Sequence, residues 1–194
     1  GRRVIGFFEA FPELSVDDKM YDMFAGVQVE KVNASKTKML ALIHCTSDQL
    51  LHYRTLKNME YKLYRQIFRS IGVNPHLEIS YPYTESMETA KIIEHYGESM
   101  QEELREKNKI EYMKFCSHPM EVEGDEIRIT CDDDFLCHKL SGEIEEYFEG
   151  MMRKRFNRSV KICFNYVEKA KRTPKQPEVY TVIRPKEQPE AEIK

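Results

Sequence analysis

Residues 120–134 have the sequence MEVEGDEIRITCDDD, which predicts two strands, a tight turn between them and the start of a helix. Gly124 can adopt the positive φ angle that a short hairpin requires. Apolar and polar residues then alternate over residues 127–131, a period of two that is typical of a half-buried strand. The three aspartates at 132–134 supply short carboxylates that can cap the first turn of a helix.

A helix and a third strand are predicted after this hairpin. Apolar residues recur at steps of three and four, so one face of the helix can cover a sheet: Phe135, Leu136, Leu140, Ile144, Tyr147, Phe148, Met151 and Met152. Asn157 ends the helix, and alternation over residues 160–166 predicts the third strand. We therefore expect residues 118–170 to form a strand-strand-helix-strand module with a three-stranded sheet.

The same order of elements is predicted for residues 2–83. A short helix capped by Ser15 precedes strands at 27–32 and 38–44, with a turn at 33–36 between them. A helix then covers 51–68, with caps offered by Thr46, Ser47 and Asp48, and Leu77, Ile79 and Tyr81 alternate in a last strand. The sequence thus predicts an α+β fold of two tandem modules.

The two modules look like an internal repeat with offsets of 83 to 85 residues. The matched positions are Ser47 and Asp132, Leu56 and Leu140, Leu63 and Tyr147, Ile67 and Met151, and Ile79 and Ile162. Identity between the copies is low, so duplication and a chance similarity of two ordinary units are both open explanations.

A helical linker at 84–117 is predicted between the modules. For residues 108–119, the sequence is consistent both with the end of this helix and with an extended connector. From residue 171 onward, prolines among charged residues predict a linker, 171–194, to a downstream domain. A strand at 179–183 would need a sheet to receive it.

Composition excludes some classes of protein. The chain has 194 residues, 41% hydrophobic and 32% charged, and has no apolar run long enough to cross a bilayer. The net charge of −3 makes the chain as a whole a poor electrostatic partner for nucleic acid. Only a local basic patch could bind nucleic acid. Five cysteines, an odd number without a C-x-x-C pair, favour a reducing cytoplasm.

Candidate metal sites are weak, and no cofactor is expected. Asp132, Asp133 and Asp134 could hold Mg²⁺, but helix capping explains them better. A zinc site is conceivable, although its spacing matches no standard knuckle and buried free cysteines are the better interpretation; its residues would be His118, Cys131, Cys137 and His138. No nucleophile elbow, phosphate loop or Cys-His signature is present, so no catalytic residue is predicted.

A basic run covers residues 153–175, where Glu168 is the one acid. Cations near a helix C-terminus complement the helix dipole, which explains 153–155 without a ligand. A phosphate-contacting patch is the alternative; its candidate residues are Arg153, Lys154, Arg155, Arg158, Lys161, Lys171 and Arg172. The eight glycines form no G-x-x-G loop of the kind that a KH module uses to clamp single strands, so base readout is not expected.

These segments together resemble the N-terminal region of PolC-type DNA polymerase III alpha subunits, the replicative polymerases of low-GC Gram-positive bacteria. The similarity spans nearly the whole chain in the right order; it is carried by Val32–Lys36, the helix 51–68, Leu77–Ser80, Ile92–Leu104, Val122–Ile127 and Val160–Asn165.

The resemblance implies a non-catalytic fragment of a DNA-directed DNA polymerase with 3′-5′ exonuclease. In the family, this region precedes an OB-fold domain, a PHP domain with the inserted exonuclease, and the polymerase core, which hold the catalytic carboxylates. The first module of the family is similar to the polymerase-binding domain of the clamp-loader tau subunit, and both modules resemble a truncated type II KH fold.

We therefore expect a protein-protein interaction module of the replisome, whose partner is the tau subunit or another domain of the polymerase. Uncovered sheet faces and sheet edges are the expected docking surfaces, because exposed strand edges can accept another strand. The alternative is a weak DNA contact made by residues 153–175. A stand-alone enzyme has no supporting residue.

Overall fold

The structure is a computed structural model that describes residues 3–107, 119–132 and 141–168. These residues form a mixed α+β architecture with two small sheets, each containing parallel and antiparallel pairs. The elements are β1 (Ile5–Gly6), α1 (Phe7–Ala10), α2 (Asp18–Phe24), β2 (Gln28–Ser35), β3 (Leu40–Thr46), α3 (Tyr53–Gln66), β4 (Asn74–Ser80), α4 (Thr89–Lys107), β5 (Met120–Glu123), β6 (Glu126–Cys131), α5 (Ser141–Phe156) and β7 (Lys161–Tyr166). Short 3-10 helices lie at Phe68–Ile71 and Pro82–Ser86.

The first sheet has the strand order β1-β2-β3-β4. Strands β2 and β3 form an antiparallel hairpin, and α3 crosses over to place β4 parallel to β3. Alternate residues of β3 and β4 are buried, because α3 covers one face of the sheet. Strand β1 pairs only with the first two residues of β2.

The second sheet repeats this connectivity. Strands β5 and β6 form an antiparallel hairpin around Gly124, whose φ of 61° is the positive value that its turn requires. Helix α5 then leads to β7, which pairs in parallel with β6. Ile144 and Phe148 of this helix are buried, as the apolar stripe predicts.

The hairpin of the first sheet turns later than predicted. Residues 33–35 continue β2 by pairing with Leu42, Ala41 and Leu40, and the turn occupies 36–39. The Ser35 hydroxyl accepts the Lys38 N–H at 3.2 Å, and Met39 adopts a left-handed φ of 53°. A side-chain hydrogen bond and one unusual backbone conformation thus replace the polar turn expected at 33–36.

Two predicted helix caps are also wrong. Asp17, not Ser15, caps α2 by accepting the Met20 N–H at 2.8 Å. Helix α3 is capped by His52, whose Nδ1 accepts the Arg54 N–H, while the hydroxyl of Ser47 bonds locally to Gln49. Residues 133–140, which include two candidate caps and the predicted start of α5, lie outside the described residues.

One continuous hydrophobic core extends through both sheets. Tyr81 follows β4, Tyr96 lies on α4 and Phe156 ends α5, and their three rings pack with centroids 5.3 to 5.7 Å apart. The Tyr81 N–H also donates to the Arg155 carbonyl at 2.7 Å. This contact region between β4, α4 and α5 is called the junction below.

Across the three described stretches, every helix is either too short or too polar to span a bilayer.

Candidate functional site

The basic run is divided between the interior and the surface. Arg153, Lys154 and Lys161 are exposed and form no salt bridge with another described residue. Arg155 and Arg158 are half-buried and bind other parts of the chain. Lys171 and Arg172 lie outside the described residues. Phosphate contact by this run stays a prediction. Of its described cations, Arg153, Lys154 and Lys161 are exposed enough to contact a phosphate.

Arg155 forms a bidentate pair with Glu103 of α4. Both guanidinium nitrogens donate to the two carboxylate oxygens at 2.8 Å, and the two side chains are only 16% and 13% exposed. The Tyr147 hydroxyl donates to the same carboxylate at 2.9 Å. Burial acts to raise the pKa of Glu103, but the Arg155 guanidinium, with the Tyr147 hydroxyl and Lys107, outweighs it and holds that pKa below its usual value.

Arg158 closes the other side of the junction. Its guanidinium donates to the carbonyls of Thr84 and Glu85 at 3.1 and 3.2 Å and to the Thr89 hydroxyl at 3.1 Å. Thr89 in turn donates to the Asp125 carboxylate in the β5–β6 turn. Arg158 therefore connects the start of α4 to the second sheet.

A groove of about 910 Å³ lies beside the junction, between α3, β4, α4 and α5. Its charged groups are largely satisfied within the protein: Glu103 by Arg155, Glu106 by the Tyr53 hydroxyl at 3.0 Å, and Lys107 by the Tyr147 ring at 4.4 Å. Lys154, one of the exposed cations of the basic run, also lines this groove.

His76 on β4 is the centre of a charged cluster at the edge of this groove. Its Nδ1 lies 3.2 Å from Glu60 of α3, and its Nε2 lies 3.6 Å from Glu78. Hydrogen bonding to Glu60 and then to Glu78 raises the pKa of His76 to about 9, against the effect of burial. His76 is therefore protonated at neutral pH.

A glutamate covers the same edge position in both sheets. Glu60 of α3 accepts the Leu77 N–H of β4 at 2.8 Å, and Glu149 of α5 accepts the Ile162 N–H of β7 at 3.0 Å. The edge glutamates, Glu60 and Glu149, fill hydrogen-bonding positions that an added strand would need.

The outer edge of β2 is different. Strand β1 begins at Ile5 opposite Val29 and pairs only with Val29 and Gln28, and no other strand in the described part of the chain pairs with that side of β2. Residues 31–34 are exposed. We call this stretch, Lys31 to Ser35, the open edge.

Candidate metal residues do not gather in the described structure. Within residues 3–107, 119–132 and 141–168, no group of three or more His, Cys, Asp or Glu side chains could hold a metal ion. Cys131 is buried and disulfide-bonded, which differs from the free core thiol that was expected. His118, Cys137, His138, Asp133 and Asp134 lie outside the described residues.

Sequence reasoning missed the edge glutamates and the histidine cluster. Glu60 lies on the buried face of an amphipathic helix, and an acid among Leu56, Met59 and Leu63 is a signal that could have indicated a buried partner. His76 carries no such signal, because its partners come from α3 and from its own strand.

Comparison with protein families matches residues 6–72 to the model described as DNA polymerase III polC-type N-terminus I. No curated protein and no solved structure gives a significant match. The matched segment runs from β1 through α3 and contains the open edge. Over residues 6–72 the chain is thus similar to the polC-type N-terminus I of DNA polymerase III, the family that its sequence resembles.

Proposed function

We propose that this chain is a protein-protein interaction module of the replisome, within the cytoplasmic replicative polymerase. The observation that carries the proposal is the open edge: it lies in the family-matched segment, whereas glutamates occupy the edges of β4 and β7. Unpaired strand edges are a common way for a domain to bind a partner.

The scaffold on which this edge lies supports the same role. Two strand-strand-helix-strand units without a G-x-x-G loop agree with truncated KH-like modules that have kept the framework and lost the nucleic-acid clamp. The junction packs the two units against each other, so the open edge is held on a preorganised body. A rigid surface loses less entropy on binding.

The test is calorimetric titration of the 194-residue chain with the clamp-loader tau subunit. Saturable heat with a defined stoichiometry is expected. A titration with the other domains of the same polymerase is the second arm, because the partner can belong to the same chain. Absence of heat in both arms would remove the replisome-adaptor function.

Weak binding of single-stranded DNA is the second candidate function, favoured by the exposure of Arg153, Lys154 and Lys161. If all three contact phosphates, the logarithm of the binding constant should fall with the logarithm of salt concentration with a slope of about −2. Reversal of Arg153 and Lys154 to glutamate should reduce that slope by more than half. The control is Lys91→Glu, an exposed cation on α4. Equal losses in both variants would exclude a specific patch.

A further inference from the structure

We propose that the open edge of β2 binds an extended, acidic segment of a partner protein, which adds as a strand beyond β1. This inference rests on the proposed interaction function and names the chemistry of its ligand. It uses three observations, which are the vacant backbone edge, an apolar groove beside it and the sign of the surrounding charge.

The backbone of β2 offers room for a short strand. β2 has eight residues and β1 pairs with two of them, so among the described residues no strand pairs with Lys31–Ser35 on the side opposite β3. Strands as short as three to five residues suffice for main-chain recognition at a sheet edge. A segment that pairs there would extend the first sheet in line with β1.

A bulge gives this edge two apolar side chains on one face. The register between β2 and β3 shifts between Val29 and Lys31. As a result, Val29 pairs with Cys45 and Val32 pairs with Ile43, and both partners lie on the buried face of β3. Val32 therefore faces the core side of the sheet while it remains 46% exposed.

Val29 and Val32 form one wall of a groove of about 510 Å³. Its other apolar lining comes from Ile5, Ala10 and Phe11, at β1 and the end of α1. A strand added to the open edge places alternate side chains on this face of the sheet. The groove can take one or two aliphatic side chains, which gives the site a preference for apolar residues at every second position.

The charge around the edge selects an acidic segment. Four exposed cations, Arg3, Lys31, Lys36 and Lys38, lie on or beside this edge and β1, against the two acids Glu30 and Glu9, which gives a local formal charge of +2 on a chain whose net charge is −3. Lysines on a strand edge repel another cationic strand and attract an anionic one. The partner segment should therefore alternate acidic and aliphatic residues.

The test uses the ¹⁵N-labelled 194-residue chain and a synthetic probe, acetyl-(Glu-Val)₄-amide, followed by amide chemical shifts. We expect saturable shifts concentrated at residues 29–35 and weaker binding at higher salt. The matched probe acetyl-(Lys-Val)₄-amide should not bind. Shifts located elsewhere, no saturable shift, or equal binding of the two peptides would overturn the proposal.

Variants of the chain supply the second measurement. Lys31→Glu with Lys36→Glu should weaken binding of the acidic probe at least about fivefold, since two attractions become repulsions. The control pair, Arg69→Glu with Lys91→Glu, has the same charge change on exposed residues away from the edge and should leave binding unchanged. Equal weakening in the two pairs would show a general charge effect and would reject the site.

The probe experiment and the tau titration fail separately. If the acidic probe binds at 29–35 and neither tau nor a polymerase domain binds, the edge is a peptide site and the replisome role is wrong. If tau binds with equal affinity to the wild-type chain and the Lys31→Glu, Lys36→Glu variant, the interaction function stands and this location for it is wrong.

Discussion

Arg155 lies in a basic run that the sequence associates with the surface, yet its guanidinium binds the buried carboxylate of Glu103. Removing one partner of such a pair leaves an uncompensated charge in the interior. We expect Arg155→Met to lower the free energy of unfolding by about 3–5 kcal/mol, measured by urea denaturation.

The control for this prediction is the double variant Glu103→Leu with Arg155→Met. Replacing both charges by apolar side chains of similar size is often close to neutral, so most of the lost stability should return. A single Arg155→Met variant that loses less than about 1 kcal/mol would contradict the buried pair. This result also bears on DNA binding, because charge reversal at Arg155 would unfold the chain before it tested a phosphate contact.

The pH dependence of stability should identify His76. Its folded pKa of about 9 exceeds the usual 6.5, so its contribution is fully present below 6.5 and is lost as the pH rises through 9. Burial raises the pKa of Glu60, but His76, the Leu77 N–H and Lys57 together hold it below its usual value. The hydrogen bond to His76 lowers the pKa of Glu78 against the effect of burial. The contributions of both carboxylates are therefore present above about pH 4.5 and are lost as the pH falls below it.

The cluster should therefore stabilise the fold most between about pH 4.5 and 6.5. The difference in unfolding free energy between the wild type and His76→Gln should be largest in that window and shrink towards pH 10. His95→Gln is the control, because His95 is exposed on α4. A difference that is flat from pH 5 to 10 would contradict the cluster.

At the scale of elements, each edge glutamate extends from a helix and accepts a backbone N–H of the outermost strand of a sheet. Glu149→Leu removes the acceptor of the Ile162 N–H, and an unsatisfied backbone donor costs about 1–3 kcal/mol. We expect that loss in chemical denaturation, together with greater self-association in sedimentation velocity, since the β7 edge becomes open.

Glu149→Gln is the matched control, because its amide oxygen can still accept the same hydrogen bond. It should stay within about 1 kcal/mol of the wild type and remain monodisperse. If Gln and Leu at position 149 destabilise the chain equally, the hydrogen bond to the edge strand is not the cause.

Most elements could be predicted from the sequence, because hydrophobic periodicity and turn residues act locally. The alternation in β6 predicted the correct type and place of that strand, and the apolar stripe predicted the helical type of α5 over its described residues, Ser141–Phe156. The position of the turn between β2 and β3 could not be predicted, since it depends on the hydrogen bond that the Ser35 hydroxyl accepts and on pairing across the sheet. Likewise, nothing near Arg155 indicates that its partner lies 52 residues earlier.

The open edge shows the same limit for the candidate site. Sheet edges in general were expected to bind, but periodicity cannot tell which edges another element covers. The covered edges depend on tertiary contacts: β1 pairs with only two residues of β2, and Glu60 and Glu149 accept N–H groups of β4 and β7.

At the scale of the whole molecule, the shared core predicts one unfolding transition. Far-UV circular dichroism and near-UV absorbance of tyrosine should change together on heating, and the calorimetric and van't Hoff enthalpies should agree. Two separated transitions, one for each sheet, would contradict the role of the junction.

The same reasoning applies to truncation. The family match ends at residue 72, before β4, which supplies the parallel partner of β3. A fragment of residues 1–72 should therefore lack the cooperative urea unfolding of the 194-residue chain. A folded 1–72 fragment would show that β4 is dispensable.

The junction also has a consequence for synthesis on the ribosome. Arg158, which binds the Thr84 carbonyl, follows Thr84 by 74 residues. At about 5–20 residues per second, roughly 4–15 s separate the two positions during translation. Throughout that interval the aromatic surface at Tyr81 and the end of β4 lack α5, so the nascent chain displays an unfinished face that a chaperone could recognise.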